Sequence, residues 1–452
     1  MKLRRISEFQ GRFSFPNFDS HFEKHLSGFQ QTELGLIYIA IPWQELVKEF
    51  GLKEHTKGPQ SIFCPQGKLA LMFLKNYSGL SDRKLIEQLN GNIHYQIFCN
   101  LILEPGQLIS NFKIVSQIRC ELALQLDIDR CEQVLFSSWK AHMSNLDSIT
   151  CDATCYETSI KYPTDVKLLF DSVQWIYTQV RATCKSQSIR QPRTKIKKWT
   201  ARAISFSKMK KKRRNKRRSL TRGLLRLLRK LMGILDDLER VYGPRALTSR
   251  YLRRVHTIKQ ILDQQEVKFY EGRRPKDAIV SIDKPHIRPI VRGKEKKMVE
   301  FGSKLHKLQI DGISFIEHIS FDAFHEGNRL EKTIWKAQKL THKKVRILGA
   351  DGIYATNANR NYVTKRGISN DFKPKGRPGR YKDHKSQLSK MITKERASRL
   401  EGSFGIDKAY FLLNKIRART KETEILWIFI GIHTSNAINI GRRIATSKAI
   451  AA

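Results

Sequence analysis

The 452-residue chain contains neither a long apolar segment nor an export signal. It has no run of about 18 apolar residues, the length that a bilayer-spanning helix needs. Its first stretch, MKLRRISEFQGRFSFPNF, has no apolar segment followed by a small-residue cleavage site. We therefore expect a cytoplasmic protein that does not enter a membrane.

Cysteines are few and show no pairing pattern. There are seven, an odd number, and none of them forms a Cys-x-x-Cys pair. This pattern disfavours both a disulfide framework and a zinc ribbon. We predict that the cysteines are reduced and mostly structural, including Cys151 and Cys155, because a free cysteine usually behaves as a small buried apolar residue.

Acidic residues are absent from a long internal segment. None occurs between Asp171 and Asp236, and the whole chain has 42 acidic residues against 85 lysines and arginines, a formal net charge of +43. So large an excess disfavours a small-molecule enzyme and suits a polyanionic partner. Nucleic acid is the first expectation, and an anionic membrane surface is the second.

The positive charge is densest at residues 208–218, of which nine are Lys or Arg, and a Leu-rich helical pattern follows. Such a cluster repels itself unless a polyanion covers it, so we favour phosphate contacts over a merely solvated helix face. A membrane-binding or calmodulin-like basic helix is the lesser alternative. The residues predicted to bind DNA here are Lys210, Lys211, Lys212, Arg213, Arg214, Lys216, Arg217 and Arg218.

Residues 35 to about 140 have apolar positions recurring at intervals of three and four, which predicts helices. Ser81 is predicted to cap the helix DRKLIEQL, because a serine oxygen can accept a hydrogen bond from a free backbone N–H of the first turn. The preceding helix, the Gly-Leu-Ser turn and this helix resemble a helix-turn-helix unit, although any small helical bundle gives this pattern. DNA reading and dimerisation both stay open for this region.

The apolar period becomes alternating after the Gly-Arg-Arg-Pro sequence at 272–275. Short strands are predicted for DAIVSID, RPIVRGK, VEFGSKLHKLQID and GISFIEHISF, with Asp311-Gly312 as a hairpin turn. A helix (NRLEKTIWKAQKLTHK), a buried strand (VRILGAD), a basic loop at 371–387 and a helix from MITKERASRLEGSFGIDKAYFLLNKI follow. An apolar helix closes the chain.

Three acidic residues are placed where they could act together. Asp152 and Asp351 each follow an apolar run, as acids at a strand mouth do, and Glu401 lies on a predicted helix. Rigidly held carboxylates are the ligands that paired Mg²⁺ or Mn²⁺ ions need for phosphodiester chemistry. Taken singly, each acid could also be a turn, a helix cap or a solvated side chain.

The order of these segments resembles the bacterial insertion-sequence DDE transposases. PQGKLALMFLKNYSGLSDRKLIEQL is similar to an InsH-type N-terminal transposase domain, and the catalytic domain of the group is similar to CDAT, YPTD, IRPIVRGK, VEFGSKL, ILGADGIYATNAN, PKGRPG and LEGSFGIDK. The resemblance spans most of the chain and depends on the joint order of the segments. It implies an α/β ribonuclease-H-like catalytic domain with a helical N-terminal domain and a basic helical insertion.

The resemblance also implies that Asp152, Asp351 and Glu401 are the catalytic residues and the ligands of two Mg²⁺ or Mn²⁺ ions. Glu395 is the nearby rival for the third carboxylate. We prefer Glu401 because the family has a lysine seven positions after its glutamate, which matches Lys408. Residues seven apart share a helix face, so Lys408 could hold a DNA phosphate beside the metals.

One arginine of the family pattern is missing. Relatives carry it four residues before the glutamate, where this chain has Ala397, so Arg396 and Arg399 are both open as its replacement. Two glycines after the glutamate weaken the helix, and a local distortion could bring either arginine to the site. Glu326 and the segment 292–294 also lie in family-like sequence and could contact DNA or support the site.

The domain expectation places a helical DNA-binding or dimerisation domain at residues 1–140 and the ribonuclease-H-like DDE domain at 141–452. A basic helical insertion at about 176–275 would interrupt the latter, because 199 positions separate Asp152 from Asp351. This is far more than a strand meander needs.

The expected protein is a DDE transposase that binds the terminal inverted repeats of an insertion sequence, cleaves the ends and transfers the 3′-hydroxyl strands to target DNA. Its partners would be double-stranded DNA and further copies of the chain in a synaptic complex, in the cytoplasm at the nucleoid. Two alternatives are a non-catalytic architectural nucleic-acid-binding protein and a ribonuclease-H-like nuclease without strand transfer.

Overall fold

The structure is a computed structural model that describes residues 16–54, 61–104, 106–244, 248–291, 298–375 and 382–451. It divides into two compact units. The first is formed by the described residues up to Glu157, by 303–320 and by those from Phe324 onward, and the second by 158–302 and 321–323. The helices in chain order are α1 (Pro16–Gln30), α2 (Glu33–Ala40), α3 (Trp43–Glu49), α4 (Pro65–Ser78), α5 (Asp82–Gly91), α6 (Ile93–Phe98), α7 (Ile114–Gln125), α8 (Ile128–Trp139), α9 (Asp165–Ser186), α10 (Ile196–Lys208), α11 (Arg214–Tyr242), α12 (Ser249–Glu266), α13 (Leu330–Thr341), α14 (Asn357–Lys365), α15 (Lys382–Glu395), α16 (Gly402–Tyr410) and α17 (Lys421–Ala451).

The strands are β1 (Ser148–Thr158), β2 (Arg288–Val291), β3 (Val299–Ile310), β4 (Ile313–Ser320), β5 (Ile347–Ala350), β6 (Ser369–Asn370) and β7 (Lys415–Ile416). In the first unit they lie in the order β4-β3-β1-β5-β6, and β7 also pairs with β1. β4 is antiparallel to β3, whereas β5 runs parallel to β1 and β6 parallel to β5. The first unit therefore combines a helical N-terminal region with a mixed sheet.

The predicted hairpin at Asp311-Gly312 is confirmed. Both residues have positive φ, +48° and +78°, as a tight turn between twisted antiparallel strands requires, and the flanking Ile310 and Ile313 are paired. Arg443 of α17 holds the turn: its guanidinium donates to Asp311 Oδ2 at 2.8 Å and to the Asp311 carbonyl at 2.7 Å. Helix α17 thus fixes the turn of the hairpin that forms one side of the sheet.

The helices predicted from residue 35 to about 140 are confirmed as α2–α8. Gly79, with φ +67°, ends α4 in the left-handed conformation, and Ser81 Oγ accepts a hydrogen bond from the Lys84 amide at 3.3 Å. Ser81 is therefore the predicted N-cap of α5. The DNA-reading and dimerisation roles of this region stay predictions.

Helix α17 packs on α2, α4, α7 and strand β4. It closes the edge of β4 with a side chain, because Asn436 accepts from the Ser314 amide at 3.0 Å and donates to the Ser314 carbonyl at 2.7 Å. It also approaches α2 closely, since a Cβ at Gly441 would lie 2.3 Å from the Leu36 carbonyl oxygen. The sheet and the N-terminal helices therefore share one core.

A buried charge cluster joins α8 to the sheet. Glu132 is fully buried, and its carboxylate lies 2.7 Å from Lys336 and 3.3 Å from His433 and accepts the Ile316 amide at 2.6 Å. Burial raises the pKa of Glu132, but Lys336 and His433 together bring that pKa below its ordinary value. The carboxylate is therefore held as an anion inside the core.

The second unit has its own apolar core, built from helices α9–α12. The Leu-rich stripe of α11 faces that core, and Arg222, Arg226 and Arg229 lie exposed on its other side, as the pattern predicts. Trp199 of α10 packs against α11 at Gly223, where a Cβ would come within 1.8 Å of the indole. Strand β2 pairs within this unit with residues 299–302.

Three predicted details are wrong. The segment 277–283 is not a strand, because Ile279 packs with Leu168 and Ile261 of the helices rather than beside another strand. Residues 382–387 are helical instead of a loop, since no Gly or Pro occurs between Gly379 and Gly402 to interrupt the helix. The helix predicted to reach residue 416 stops at Tyr410, and β7 follows.

Other expectations concern cysteines, membrane helices and a short basic segment. All seven cysteines are free, and all except Cys120 are buried. Within the described ranges, no helix is long and apolar enough to cross a bilayer. Residues 292–294 lie outside the described residues.

We expect Glu132→Ala to lower the free energy of unfolding by about 3–5 kcal/mol, because the buried His433 loses its carboxylate partner and the buried Lys336 keeps as its acidic partner Asp129, which is 65% exposed. Chemical denaturation would measure the change. Glu121→Ala is the matched control, since Glu121 pairs with Lys68 at 2.6 Å but is 38% exposed, and it should cost no more than about 1 kcal/mol. Equal losses in the two variants would contradict the assigned role of the buried cluster.

Candidate active site

Asp152 and Asp351 lie side by side on neighbouring parallel strands. The pairing of β1 with β5 ends at Cys151 and Ala350, so the two aspartates are the next residues in register. The expectation that both acids end a strand is correct for Asp351 and wrong for Asp152, because β1 continues to Thr158. Asp351 thus lies at the carboxyl end of β5, whereas Asp152 lies within β1, which continues past this point.

The Asp152 carboxylate is partly buried and surrounded by other acids. Its Oδ1 accepts a hydrogen bond from the Ala153 amide at 2.7 Å. Burial raises the pKa of Asp152 to about 6; the Ala153 hydrogen bond opposes this shift, and the negative charges of Glu326 and Asp351 add to it. The pKa of Asp152 is therefore well above that of an ordinary aspartate.

Asp351 is held by the 3₁₀ turn that follows β5. Its Oδ1 accepts from the Gly352 amide at 2.6 Å, and its side chain is 59% exposed. Tyr354, at the end of this turn, is buried with its hydroxyl 2.7 Å from His306 Nε2 on β3. Because Tyr354 anchors the turn to the sheet, the Asp351 backbone is fixed while its carboxylate faces solvent.

Arg396 is the residue that connects the acids. Its Nη1 lies 3.7 Å from Asp351 Oδ1 and 3.8 Å from Glu401 Oε1. Its Nε lies 3.8 Å from Asp371 Oδ2. Among the two arginines left open by the sequence, Arg396 therefore lies at the acids, whereas Arg399 pairs elsewhere.

A π-helical turn at Arg396–Glu401 explains this arrangement. In a regular α-helix, residues five apart lie about 140° apart around the axis. The i→i+5 hydrogen bonds of a π-turn bring such residues nearly above one another. Arg396 and Glu401 thus come to the same face, which is the local distortion that the sequence left open.

Glu401 is brought to Asp351, and its rival Glu395 is not. The Glu401 side chain is 52% exposed and contacts Arg396. Glu395 lies 3.1 Å from Arg399, which also lies 3.3 Å from Asp311 at the β3–β4 turn. The two glutamates therefore belong to different groups of charges.

Asp371 is a site neighbour that the sequence reasoning missed. It follows the two-residue strand β6, accepts the Ala350 amide at 3.0 Å through Oδ1, and has a side chain only 3% exposed. Burial raises the pKa of Asp371, against the lowering effects of the Ala350 amide and Arg396. Its sequence signal is weak, because it follows the polar Ser369-Asn370 rather than an apolar run such as the one before Asp351.

Helix α16 is fixed to the sheet by a buried charge pair. Lys307 of β3 lies 2.6 Å from Asp407 Oδ2, which also accepts from the Tyr156 hydroxyl at 2.6 Å, and Lys307 donates to Ser403 Oγ at 3.1 Å. Burial lowers the pKa of Lys307, although Asp407 counteracts the shift. Because Asp407 is locked, the neighbouring Lys408 also has a defined place.

Lys408 lies along β1 beside the acids. Its Nζ donates to Thr154 Oγ1 at 3.0 Å, and Thr154 is two residues from Asp152, on the same face of the strand. The negative charge of Glu326, which lies on a different segment, also acts on Asp152. Lys304 pairs with Glu326 at 2.7 Å. The acids thus have cationic neighbours on several sides.

The basic block at residues 208–218 lies in the second unit, where α10 ends and α11 begins. The side chains predicted to bind DNA are all exposed, and none forms an ion pair with an acid in the described part of the chain. Lys212 has its ammonium 6.0 Å from the centre of the Phe206 ring. The block therefore presents its charge to solvent. Of its nine Lys and Arg residues, those predicted to bind DNA are Lys210, Lys211, Lys212, Arg213, Arg214, Lys216, Arg217 and Arg218.

The residues fit divalent metal ions by their chemistry. Asp152, Asp351 and Glu401 offer only oxygen donors, which Mg²⁺ and Mn²⁺ prefer. Among the described residues, no group of three or more His, Cys, Asp or Glu side chains is arranged to hold an ion, and Arg396 lies between the acids instead. The Arg396 Nε is buried and lacks a hydrogen-bond partner among the described residues. The guanidinium therefore takes the position of a loosely held cation.

Two parts of the chain match known protein families. Residues 348–434 match the family of the transposase DDE domain, a range that contains Asp351, Glu401 and Lys408. Residues 21–120 match the transposase domain (DUF772), a range that contains helices α2–α6 and parts of α1 and α7. No curated protein and no solved structure matches the chain. The two family matches indicate a transposase and are consistent with an insertion-sequence DDE transposase.

We predict that Asp152→Asn stabilises the metal-free protein at pH 7.5 but not at pH 4. The folded protein holds this pKa at about 6, above the ordinary 3.8, so folding favours the protonated carboxyl. That stability is fully present below the unfolded pKa and is lost as the pH rises through about 6. The asparagine cannot ionise and avoids the loss, worth up to about 3 kcal/mol. Urea unfolding at both pH values checks this, and an equal effect at the two would contradict it.

Proposed function

We propose that this chain, with its two transposase matches, is an insertion-sequence DDE transposase that binds the terminal inverted repeats, cleaves the ends and transfers 3′-hydroxyl strands to target DNA. The observation that carries the proposal is the placement of Asp152 and Asp351 at the same level of two parallel strands. Arg396 joins Glu401 to this pair. These contacts support the proposal that three carboxylates from distant parts of the sequence act together.

We also propose that the sheet and its helices form a ribonuclease-H-like domain. The strand order β4-β3-β1-β5-β6 supports it, with an antiparallel hairpin on one side of β1 and parallel strands on the other. In this proposal, residues 1–140 form the N-terminal domain and 141–452 the catalytic domain. The basic helical insertion interrupts the catalytic domain at about 176–275.

The proposed ligands of two Mg²⁺ or Mn²⁺ ions are Asp152, Asp351 and Glu401. When bound, such ions supply a more acidic water or 3′-hydroxyl and neutralise charge on the leaving oxygen. Asp152 has to lose its proton before it can act as a ligand, and its pKa of about 6 places that loss just below neutral pH. Metal loading is therefore expected to weaken as the pH falls through 6.

Lys408 is proposed to hold a DNA phosphate beside the carboxylates. Its ammonium now donates to Thr154 Oγ1, a neutral acceptor that a charged phosphate oxygen would outcompete. The buried Lys307–Asp407 pair keeps the backbone of α16 in place. The lysine could therefore change its partner without any movement of the helix.

The basic block is proposed to bind the phosphate backbone of DNA without reading sequence. Its exposed Lys and Arg side chains carry charge that no described acid neutralises, which is the arrangement that releases counterions when DNA binds. The expected partners are the element ends, target DNA and further copies of the chain in a synaptic complex, and association with the nucleoid would follow.

The test is a supercoiled plasmid that carries the element's ends, incubated with the protein and Mg²⁺ or Mn²⁺. We expect cut ends that reappear joined to other DNA. Asp152→Asn, Asp351→Asn and Glu401→Gln should each abolish cleavage but keep end binding within about a few-fold, because Lys and Arg contacts supply most of the affinity.

Glu395→Gln is the matched control and should cleave normally. Loss of cleavage in that variant, with activity kept in Glu401→Gln, would show that the wrong helical turn was chosen. Cutting without joining would favour a nuclease, and binding without cutting an architectural protein.

Replacement of five positive residues of the basic block with glutamine should weaken binding to all DNA sequences alike and make the log–log salt slope shallower by several units. Each phosphate contact contributes about −0.9 to that slope on duplex DNA. A fluorescence-anisotropy titration over a range of salt concentrations measures it. The variant changes Lys210, Lys211, Lys212, Arg213 and Arg214.

The control removes the same charge from exposed lysines of the first unit. It changes Lys332, Lys339, Lys343, Lys344 and Lys365 to glutamine. An equal loss of slope in both variants would mean that only net charge matters. An unchanged salt slope in the basic-block variant would mean that the block does not contact DNA and is only a solvent-exposed surface.

A further inference from the structure

We infer that Arg396 is a built-in counter-ion of the carboxylate site, which a divalent ion must displace from Asp351 and Glu401, and that buried Asp371 is its anchor. The inference rests on the proposed metal-dependent function and adds a control over metal loading. It assigns roles to two residues that the family matches leave without one.

The guanidinium is shared among three carboxylates. Its contacts with Asp351, Glu401 and Asp371 are nearly equal, at 3.7, 3.8 and 3.8 Å, and the Arg396 side chain is only 15% exposed. One positive charge among three negative charges lowers their mutual repulsion. Arg396 therefore performs electrostatically what a bound cation would perform.

The contacts of Arg396 with its three acids are too long for hydrogen bonds. Arg329, another arginine of the same unit, is bound differently. Arg329 grips Glu317 with two bonds of 2.6 and 3.1 Å. Arg396 makes none of comparable length to its acids, and its buried Nε has no hydrogen-bond partner in the described part of the chain. A guanidinium with only such long contacts is easier to displace than one that makes two hydrogen bonds to a single carboxylate.

The backbone is irregular at the point that brings Arg396 to the acids. The π-turn at Arg396–Glu401 stacks the arginine on the glutamate, whereas a regular helix would turn them apart. Arg399, three residues on, faces Asp311 and Glu395 instead. The position of Arg396 thus follows from a local change in helix geometry.

The three acids differ in exposure, and this difference determines which carboxylates an arriving ion would take from Arg396. Asp351 and Glu401 are half exposed and open to an arriving ion, whereas Asp371 is buried and fixed by the Ala350 amide. An ion that takes the two exposed carboxylates leaves Arg396 with Asp371 as its remaining partner. The arginine then stays near the site without competing for the metal.

Mn²⁺ binding to the DNA-free full chain tests the inference, with affinity measured by calorimetry. Arg396→Gln should bind Mn²⁺ about tenfold more tightly than the unmodified protein, because one positive charge close to the ion is gone. Arg396→Lys restores the charge and should return the affinity to within about twofold. Arg399→Gln is the matched control and should leave it unchanged.

Asp371 is tested as a positioning residue by a double-mutant cycle with the same readout. Asp371→Asn alone should weaken Mn²⁺ binding, because Arg396 then rests on Asp351 and Glu401. In the Arg396→Gln background, the same change should weaken binding less, because only the loss of the Asp371 charge itself remains. A loss of equal size in both backgrounds would show that Asp371 acts on the metal without Arg396 and would overturn its anchoring role.

The inference and the proposed function fail differently. If Mn²⁺ binds and Asp351→Asn abolishes the binding, but Arg396→Gln does not tighten it, the counter-ion role is wrong and the proposed site stands. If neither the unmodified protein nor Arg396→Gln binds Mn²⁺ in a way that depends on Asp351, both are overturned. Far-UV circular dichroism of each variant confirms that the compared proteins are folded.

Discussion

The buried ion pair between Lys307 and Asp407 is the interaction on which the candidate site depends. It holds α16 against β3, and Tyr156 of β1 adds a third partner to the same carboxylate. Two buried charges stabilise a fold only when they are paired and their remaining polar atoms are bonded, so this contact allows one register of helix on sheet. The positions of Glu401 and Lys408, on either side of Asp407 along the chain, follow from it.

In the first unit, acidic and basic side chains form ion-paired groups whose contact distances differ. Glu132 and Glu317 lie in buried groups with short contacts to Lys336 and Arg329. The acids at the end of β5 have longer contacts and partly exposed carboxylates. The first groups act as structural ties. The second retains charge that can be rearranged, as expected of a place where ligands come and go.

The sequence was informative where the physical signal is local. The strand-then-acid order located Asp351, and the turn chemistry of Asp311 and Gly312 located the hairpin. It could not decide between Arg396 and Arg399, because the π-turn that selects one of them depends on tertiary packing. Asp371 was missed because a two-residue strand is too short to show an alternating pattern.

Helix α17 supplies core residues to the N-terminal helices and hydrogen-bonds the edge of β4, although hundreds of residues separate it from α2. During synthesis on the ribosome, those early helices emerge long before the segment that completes their core. The second unit is almost continuous in sequence and has its own core, so it can close first. Until α17 has been synthesised, the N-terminal helices keep apolar surface exposed, to which a chaperone can bind.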